Sequence, residues 1–276
     1  MPKPDAGSPA CEVRVSGPVR RWPLLNIWVD DLSRSELLDL LATRGGLVFT
    51  LNPDHLWHLQ HDPAFLAAYR QADWVTMDSA PLRGLMGWTG RPLRERITGS
   101  DLVPAMLHHA VRQQVPWRFF LLGAAPGVAE TARRRMNERA GQALVVGALG
   151  PSMRFVDDPQ ETETALAAIR ASGANVLLVG LGAPKQEVWL ARHRHALPGV
   201  KVLLGVGATL DYEAGAVRRA PVWMRRMGLE WAYRIGSEPG RYLRRYGRNT
   251  RFLWWMLQER LGRYRDPFGP DVNGPV

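Results

Sequence analysis

From Leu24 to about Leu210, short apolar runs alternate with longer stretches in which apolar residues return every three or four positions. The short runs predict strands over 24–29, 46–51, 74–78, 117–123, 143–148, 175–181 and 201–206. The longer stretches predict helices over 33–43, 54–70, 100–114, 127–139, 159–171 and 185–196. Strands that alternate with helices imply an α/β fold: a mainly parallel, Rossmann-like sheet with helices on both faces. In such a sheet the loops at the carboxyl ends of the strands form the ligand crevice, so candidate chemistry is sought just after strands.

Beyond residue 217 the pattern changes. Helical periodicity runs from Ala220 to about Leu261, broken near Pro239-Gly240, and is dense in Trp, Tyr and Arg. The chain therefore divides into an N-terminal tail (1–20), an α/β domain (21–216), a helical appendage (217–265) and a Pro- and Gly-rich tail (266–276). The α/β part is expected to complete its sheet without the appendage. Every apolar run falls short of the ~20 residues that cross a bilayer, so no span is expected. Residues 1–25 lack the continuous apolar stretch of an export signal, so export is not expected either.

Composition sharpens two points. Cys11 is the only cysteine, which excludes an intrachain disulfide and a cysteine-based zinc site and fits a reducing cytoplasm. The net charge of +10 is concentrated between Val217 and Arg265, where thirteen Arg and no Lys face three Glu. The remainder is balanced, so the appendage is the part suited to an anionic partner. Trp223, Trp231, Trp254 and Trp255 interleave with the arginines, as in a helix lying on an anionic leaflet. An ordinary packed helix with a solvated face accounts for the same letters.

Several motifs follow strands. Thr50 and Asn52, in Thr50-Leu51-Asn52-Pro53-Asp54, are neutral hydrogen-bonding side chains suited to sugar hydroxyls; helix capping by Asn52 with Pro53 behind it is the plain alternative. Asp78 closes an apolar strand and could take a proton from an attacking hydroxyl, or merely cap a helix. Arg96, in Glu95-Arg96-Ile97-Thr98-Gly99-Ser100-Asp101, could neutralise a phosphate or stand as a surface arginine. Two glycine turns, one from Gly123 to Gly127 and one with Gly180, Gly182 and Lys185, could bring backbone N–H groups to a diphosphate. Neither turn is a dinucleotide fingerprint, since Lys185 stands where a third glycine is required. No Asp-x-Asp and no H-E-x-x-H occurs, so metal-dependent chemistry is disfavoured. His193 and His195 are expected to be solvated cations at a helix end.

Taken together, the chain from about Leu25 to Tyr246 resembles the WecG/TagA/CpsF glycosyltransferases. The most specific segments are Glu95 to Asp101, Gly182-Ala183-Pro184-Lys185-Gln186-Glu187, Gly205 to Asp211, Arg219 to Met224, and Gly228 to Arg234. The resemblance implies a metal-independent, inverting enzyme without a cofactor. It implies a UDP-sugar of the N-acetylmannosamine or glucose type as donor and a polyprenyl-diphosphate-linked acceptor, used in surface polysaccharide synthesis. It makes Asp78 the base, places Thr50, Asn52, Arg96 and Gln186 in the pocket, and gives Asp211 the nucleotide. Here Asp78-Ser79-Ala80-Pro81 departs from the Asp-Gly-x-Gly of many members, which leaves the donor open. Arg219, Arg226 and Arg234 are then candidates for the leaving or acceptor diphosphate. The implied location is cytoplasmic, at the inner face of the membrane, with no nucleic-acid partner; a homo-oligomer stays open. The rival reading is an Arg-rich α/β protein that binds nucleic acid.

Overall fold

The computed structural model describes residues 18–269, without the side chains of positions 241, 242 and 244–246. The expected tails therefore fall largely outside the described residues, at 1–17 and 270–276. A hairpin opens the fold, β1 (Arg21–Leu24) pairing antiparallel with β2 (Ile27–Asp30). The single strand expected over 24–29 is thus two strands, reversed at Leu25, whose φ of 55° lies in the left-handed region.

Six strands form the parallel sheet: β3 (Gly46–Leu51), β4 (Trp74–Met77), β5 (Phe119–Gly123), β6 (Val145–Leu149), β7 (Val176–Gly180) and β8 (Val202–Gly205). Their spatial order is β4-β3-β8-β7-β5-β6, all neighbours parallel. Side-chain alternation feeds two cores. Leu47, Phe49 and Leu51 of β3 join Phe120, Leu122, Leu177 and Val179 on one face. Val48 joins Phe119, Leu121, Val176 and Leu178 on the other. Burial on both faces explains why these strands read as unbroken apolar runs.

The helices of the α/β part are α1 (Arg34–Thr43), α2 (Pro53–Leu59), α3 (Pro63–Arg70), α4 (Ala80–Trp88), α5 (Gly99–Arg112), α6 (Val128–Ala140), α7 (Pro159–Ser172), α8 (Lys185–His193) and α9 (Thr209–Ala214). The helix expected over 54–70 is split, because the Asp62 carboxylate accepts from the N–H groups of Ala64 and Phe65 and restarts the chain as α3. The segment 194–196, expected to continue α8, is a 3₁₀ turn. His193 does not stand free at that end: its ring lies 4.9 Å from Trp189, and burial, then Arg192, lowers its pKa.

Four helices follow: α10 (Val222–Arg226), α11 (Glu230–Ser237), α12 (Pro239–Asn249) and α13 (Arg251–Arg260). Besides the expected interruption before Pro239, the chain turns at Gly228, with φ +72°, and at Thr250. A Cβ at Gly228 would lie 2.4 Å from the Cβ of Ala80, so glycine there lets the appendage reach the start of α4. Phe252 and Met256 of α13 are buried within the core that includes Leu24, Leu56 and Leu59. Glu259 accepts from the Leu25 N–H at 2.7 Å and pairs with Arg91 at 2.8 Å. The sheet needs no strand from these helices, but the last of them covers apolar surface of the α/β part. No helix among the described residues is long and apolar enough to cross a membrane.

Candidate active site

The carboxyl ends of β3 and β4 lie side by side, with Thr50 opposite Thr76 and Leu51 opposite Met77 in register. The Asp78 N–H continues the ladder by donating to the Leu51 carbonyl at 2.8 Å, which fixes the aspartate at the strand end. Thr50 is buried on β3. Asn52 caps α2, its side-chain oxygen accepting from the N–H groups of Asp54 and His55. At Asp78 the cap belongs to the next residue, Ser79, whose hydroxyl accepts from Leu82 N–H at the start of α4. Asp78 is thereby left out of the capping it was a candidate for.

Arg96 reaches the same place from the loop before α5, held there by the Ile97 N–H donating to the Met77 carbonyl. Its guanidinium donates to the Asp78 carbonyl at 3.3 Å and to the Arg225 carbonyl at 3.0 Å, and lies 4.0 Å from the Asp78 carboxylate. It also faces Glu230 of α11 at 3.7 Å. Arg219 completes the ring of charges: it donates to Asp101 at 2.8 Å, to Glu230 at 3.2 Å and to the Ser100 carbonyl at 3.0 Å. Arg225 stands 3.9 Å from Asp101.

The electrostatics separate the two aspartates. Burial pushes Asp78 up to about 6; Arg96 and Arg234 oppose the shift, while Glu230 and Asp101 add to it. Burial also works to raise Asp101, but Arg219, Thr98 and Arg96 together hold it below the usual carboxylate range. Asp101 is therefore a fixed counter-ion for the arginines. Asp78, with 32% of its side chain still exposed, is the carboxylate able to exchange a proton near neutrality.

A glycine cradle lies further along the sheet. A Cβ on Gly123 would sit 2.4 Å from the Gly180 carbonyl oxygen, and one on Gly180 would sit 2.8 Å from that of Gly207. The ends of β5, β7 and β8 thus close up only because side chains are missing. Gln186, expected to line the pocket, is buried beneath the cradle, and its carboxamide oxygen accepts from the N–H groups of Gly182 at 3.2 Å and Gly207 at 3.0 Å. Lys185 is exposed at the first residue of α8, and Asp211 is half-buried in the first turn of α9. Arg234 lies over the Tyr212 ring at 5.9 Å. Arg226 is exposed and is not drawn into the ion cluster.

These motifs, gathered along the carboxyl-end side of the parallel sheet, match a known pattern. The model of the "Glycosyl transferase WecG/TagA/CpsF family" fits residues 22–266. The chain belongs to this glycosyltransferase family. It is also similar to the N-acetylglucosaminyldiphosphoundecaprenol N-acetyl-beta-D-mannosaminyltransferase of Bacillus spizizenii, 32% identical over 214 residues, covering 77% of this chain and 79% of that protein. As a member of the family, the protein is a glycosyltransferase.

Three participants escaped the sequence reading: Glu230 and Asp101, which order the arginines, and Arg225, whose carbonyl and guanidinium both enter the cluster. Glu230 had one available signal, as the sole acid within an arginine-rich stretch from Val217 to Ser237.

Proposed function

We propose that the protein is an inverting, metal-independent glycosyltransferase. Its donor is a UDP-sugar carrying a hexose or N-acetylhexosamine, of the N-acetylmannosamine or glucose type. Its acceptor is a polyprenyl-diphosphate-linked saccharide, and its product serves surface polysaccharide synthesis. The observation that carries this reading is Asp78, a carboxylate raised to about 6 at a strand end and framed by guanidinium groups. The activity of the Bacillus relative supports the class of the transferred sugar and of the acceptor.

In this reaction Asp78 accepts the proton of the acceptor hydroxyl as its oxygen bonds to the anomeric carbon. The bond from that carbon to the diphosphate breaks, and its electron pair leaves with the nucleoside diphosphate. The guanidinium groups of Arg96, Arg219 and Arg234 stabilise that charge, and the glycine turns bring backbone N–H groups other than those of Gly182 and Gly207 to the diphosphate. The acceptor comes from a membrane, and the appendage supplies the contact: Trp223 and Met227 are 58% and 66% exposed beside Arg225 and Arg226.

The test is a donor screen by mass spectrometry with synthetic lipid-diphosphate acceptors, run with and without chelator. One UDP-sugar is expected to be consumed with inversion, at a rate chelator leaves unchanged. Activity that returns only with added Mg²⁺ or Mn²⁺ would overturn the metal-independent account of the leaving group.

A further inference from the structure

Beneath the glycine cradle runs a line of buried polar groups. Gln186 spends its oxygen on Gly182 and Gly207 and directs its amide nitrogen to Glu187 Oε1 at 2.7 Å. The same Glu187 oxygen lies 3.6 Å from His55 Nε2, and His55 Nδ1 lies 2.6 Å from the Tyr69 hydroxyl. All four side chains are buried, Glu187 to 1% exposure. Buried polar groups are costly unless satisfied, and a satisfied network fixes one geometry. The two N–H groups that Gln186 holds belong to different turns, one after β7 and one after β8, and both glycines have positive φ. A Cβ on Gly205 would approach Gln186 Nε2 to 3.0 Å, so the carboxamide also fills the space beneath β8.

We infer that Gln186 is a positioning residue that sets the spacing of the two glycine turns for a nucleotide diphosphate, with Glu187, backed by His55 and Tyr69, fixing the orientation of its amide. Its effect on the donor passes through the turns, since its oxygen is already engaged by both. This inference rests on the proposed nucleotide-sugar donor for its functional consequence only; the brace itself is a property of the free protein.

The experiment uses the full chain and two readouts. In the absence of ligand, amide hydrogen exchange at Gly182 and Gly207 should speed up about tenfold or more in Gln186→Met, as expected for losing a hydrogen bond of ordinary strength, while amides within β7 stay unchanged. With UDP as probe, affinity should fall about tenfold and the KM for donor should rise far more than kcat falls. Gln186→Asn, which withdraws the amide by one methylene, carries the same test should the Met variant not fold. Glu187→Gln keeps an acceptor for Gln186 and should leave both readouts near the wild type, whereas Glu187→Ala should move them in the direction of the Gln186 variants. Unchanged exchange at Gly182 and Gly207 in the Gln186 variants overturns the brace, and an affinity loss without an exchange change assigns Gln186 to direct contact instead. Failure of the wild type to bind UDP would strike the donor assignment alone, because exchange still judges the brace.

Discussion

In the proposed reaction Asp78 differs from its neighbours in having to change charge during turnover. Replacing it with Asn leaves the crevice shape intact and removes the proton acceptor, so turnover should fall by about 10² to 10⁴ while UDP binding is nearly retained. Single-turnover rates and calorimetric titration check the two halves. In the wild type kcat/KM should rise with pH through about 6 and level off above it, because the ionised carboxylate is the active form. Stability should move the opposite way. A carboxyl raised from 3.8 to about 6 binds protons more readily in the folded state, so it penalises folding progressively as pH rises through that window. Asp78→Asn should therefore be at least as stable as wild type at pH 7.5, with the advantage gone by pH 4, measured by denaturant unfolding. At this scale position was legible where a side chain stands at or just past a strand end, as with Thr50, Asn52 and Asp78. It was illegible where function depends on a partner far along the chain. Glu187 and His55 look like solvated helix residues until the fold buries them together, and nothing local distinguishes a pocket glutamine from one that braces two turns.

Among the elements, those with strong periodicity were readable and those with mixed signals were not. The split between α2 and α3 was written in Asp62-Pro63, a cap followed by a proline at the first helical position. The helix α4 carries Gly84 and Gly87, each costing about 1 kcal/mol relative to alanine, which hides it from propensity. The hairpin was hidden because its turn uses Leu25 rather than glycine. The clearest departure is α13, read as part of an appendage, which places Phe252 and Met256 in the core. Phe252→Ala should accordingly destabilise the protein by about 3 to 5 kcal/mol, the range for deleting a buried aromatic side chain. Thermal unfolding tests it; a change below about 1 kcal/mol, within the range of ordinary surface substitutions, would show that this helix merely rests on the surface.

For the molecule as a whole, the separation of charge matters more than its total. The ten surplus positive charges lie between residues 217 and 265, and four of the exposed large apolar side chains, Val222, Trp223, Met227 and Trp231, lie on α10, on the turn after it and at the start of α11. Binding to vesicles containing anionic lipid should be reversible and should weaken steeply as salt rises. Trp223→Ala with Met227→Ala should weaken binding to vesicles without altering turnover on a soluble acceptor analogue. Sedimentation with vesicles at two salt concentrations checks the first statement. Tighter salt-dependent binding to RNA or DNA than to vesicles would favour the nucleic-acid reading of the arginines.

The contact between Glu259 and Leu25 joins positions 234 residues apart, and Asp266 accepts from Asn26 across a still longer interval. During synthesis the first hairpin therefore waits for the last helix. Loop closure over such a span grows only logarithmically with length, so the delay is set by translation rather than by the entropy of the join. A nascent chain that has already made its sheet leaves Leu24, Leu56 and Leu59 without Phe252 and Met256 over them until α13 emerges. Chains stopped short of α13 should be the ones that chaperones and proteases retain, so that abundance in the cell reports on whether α13 has been made.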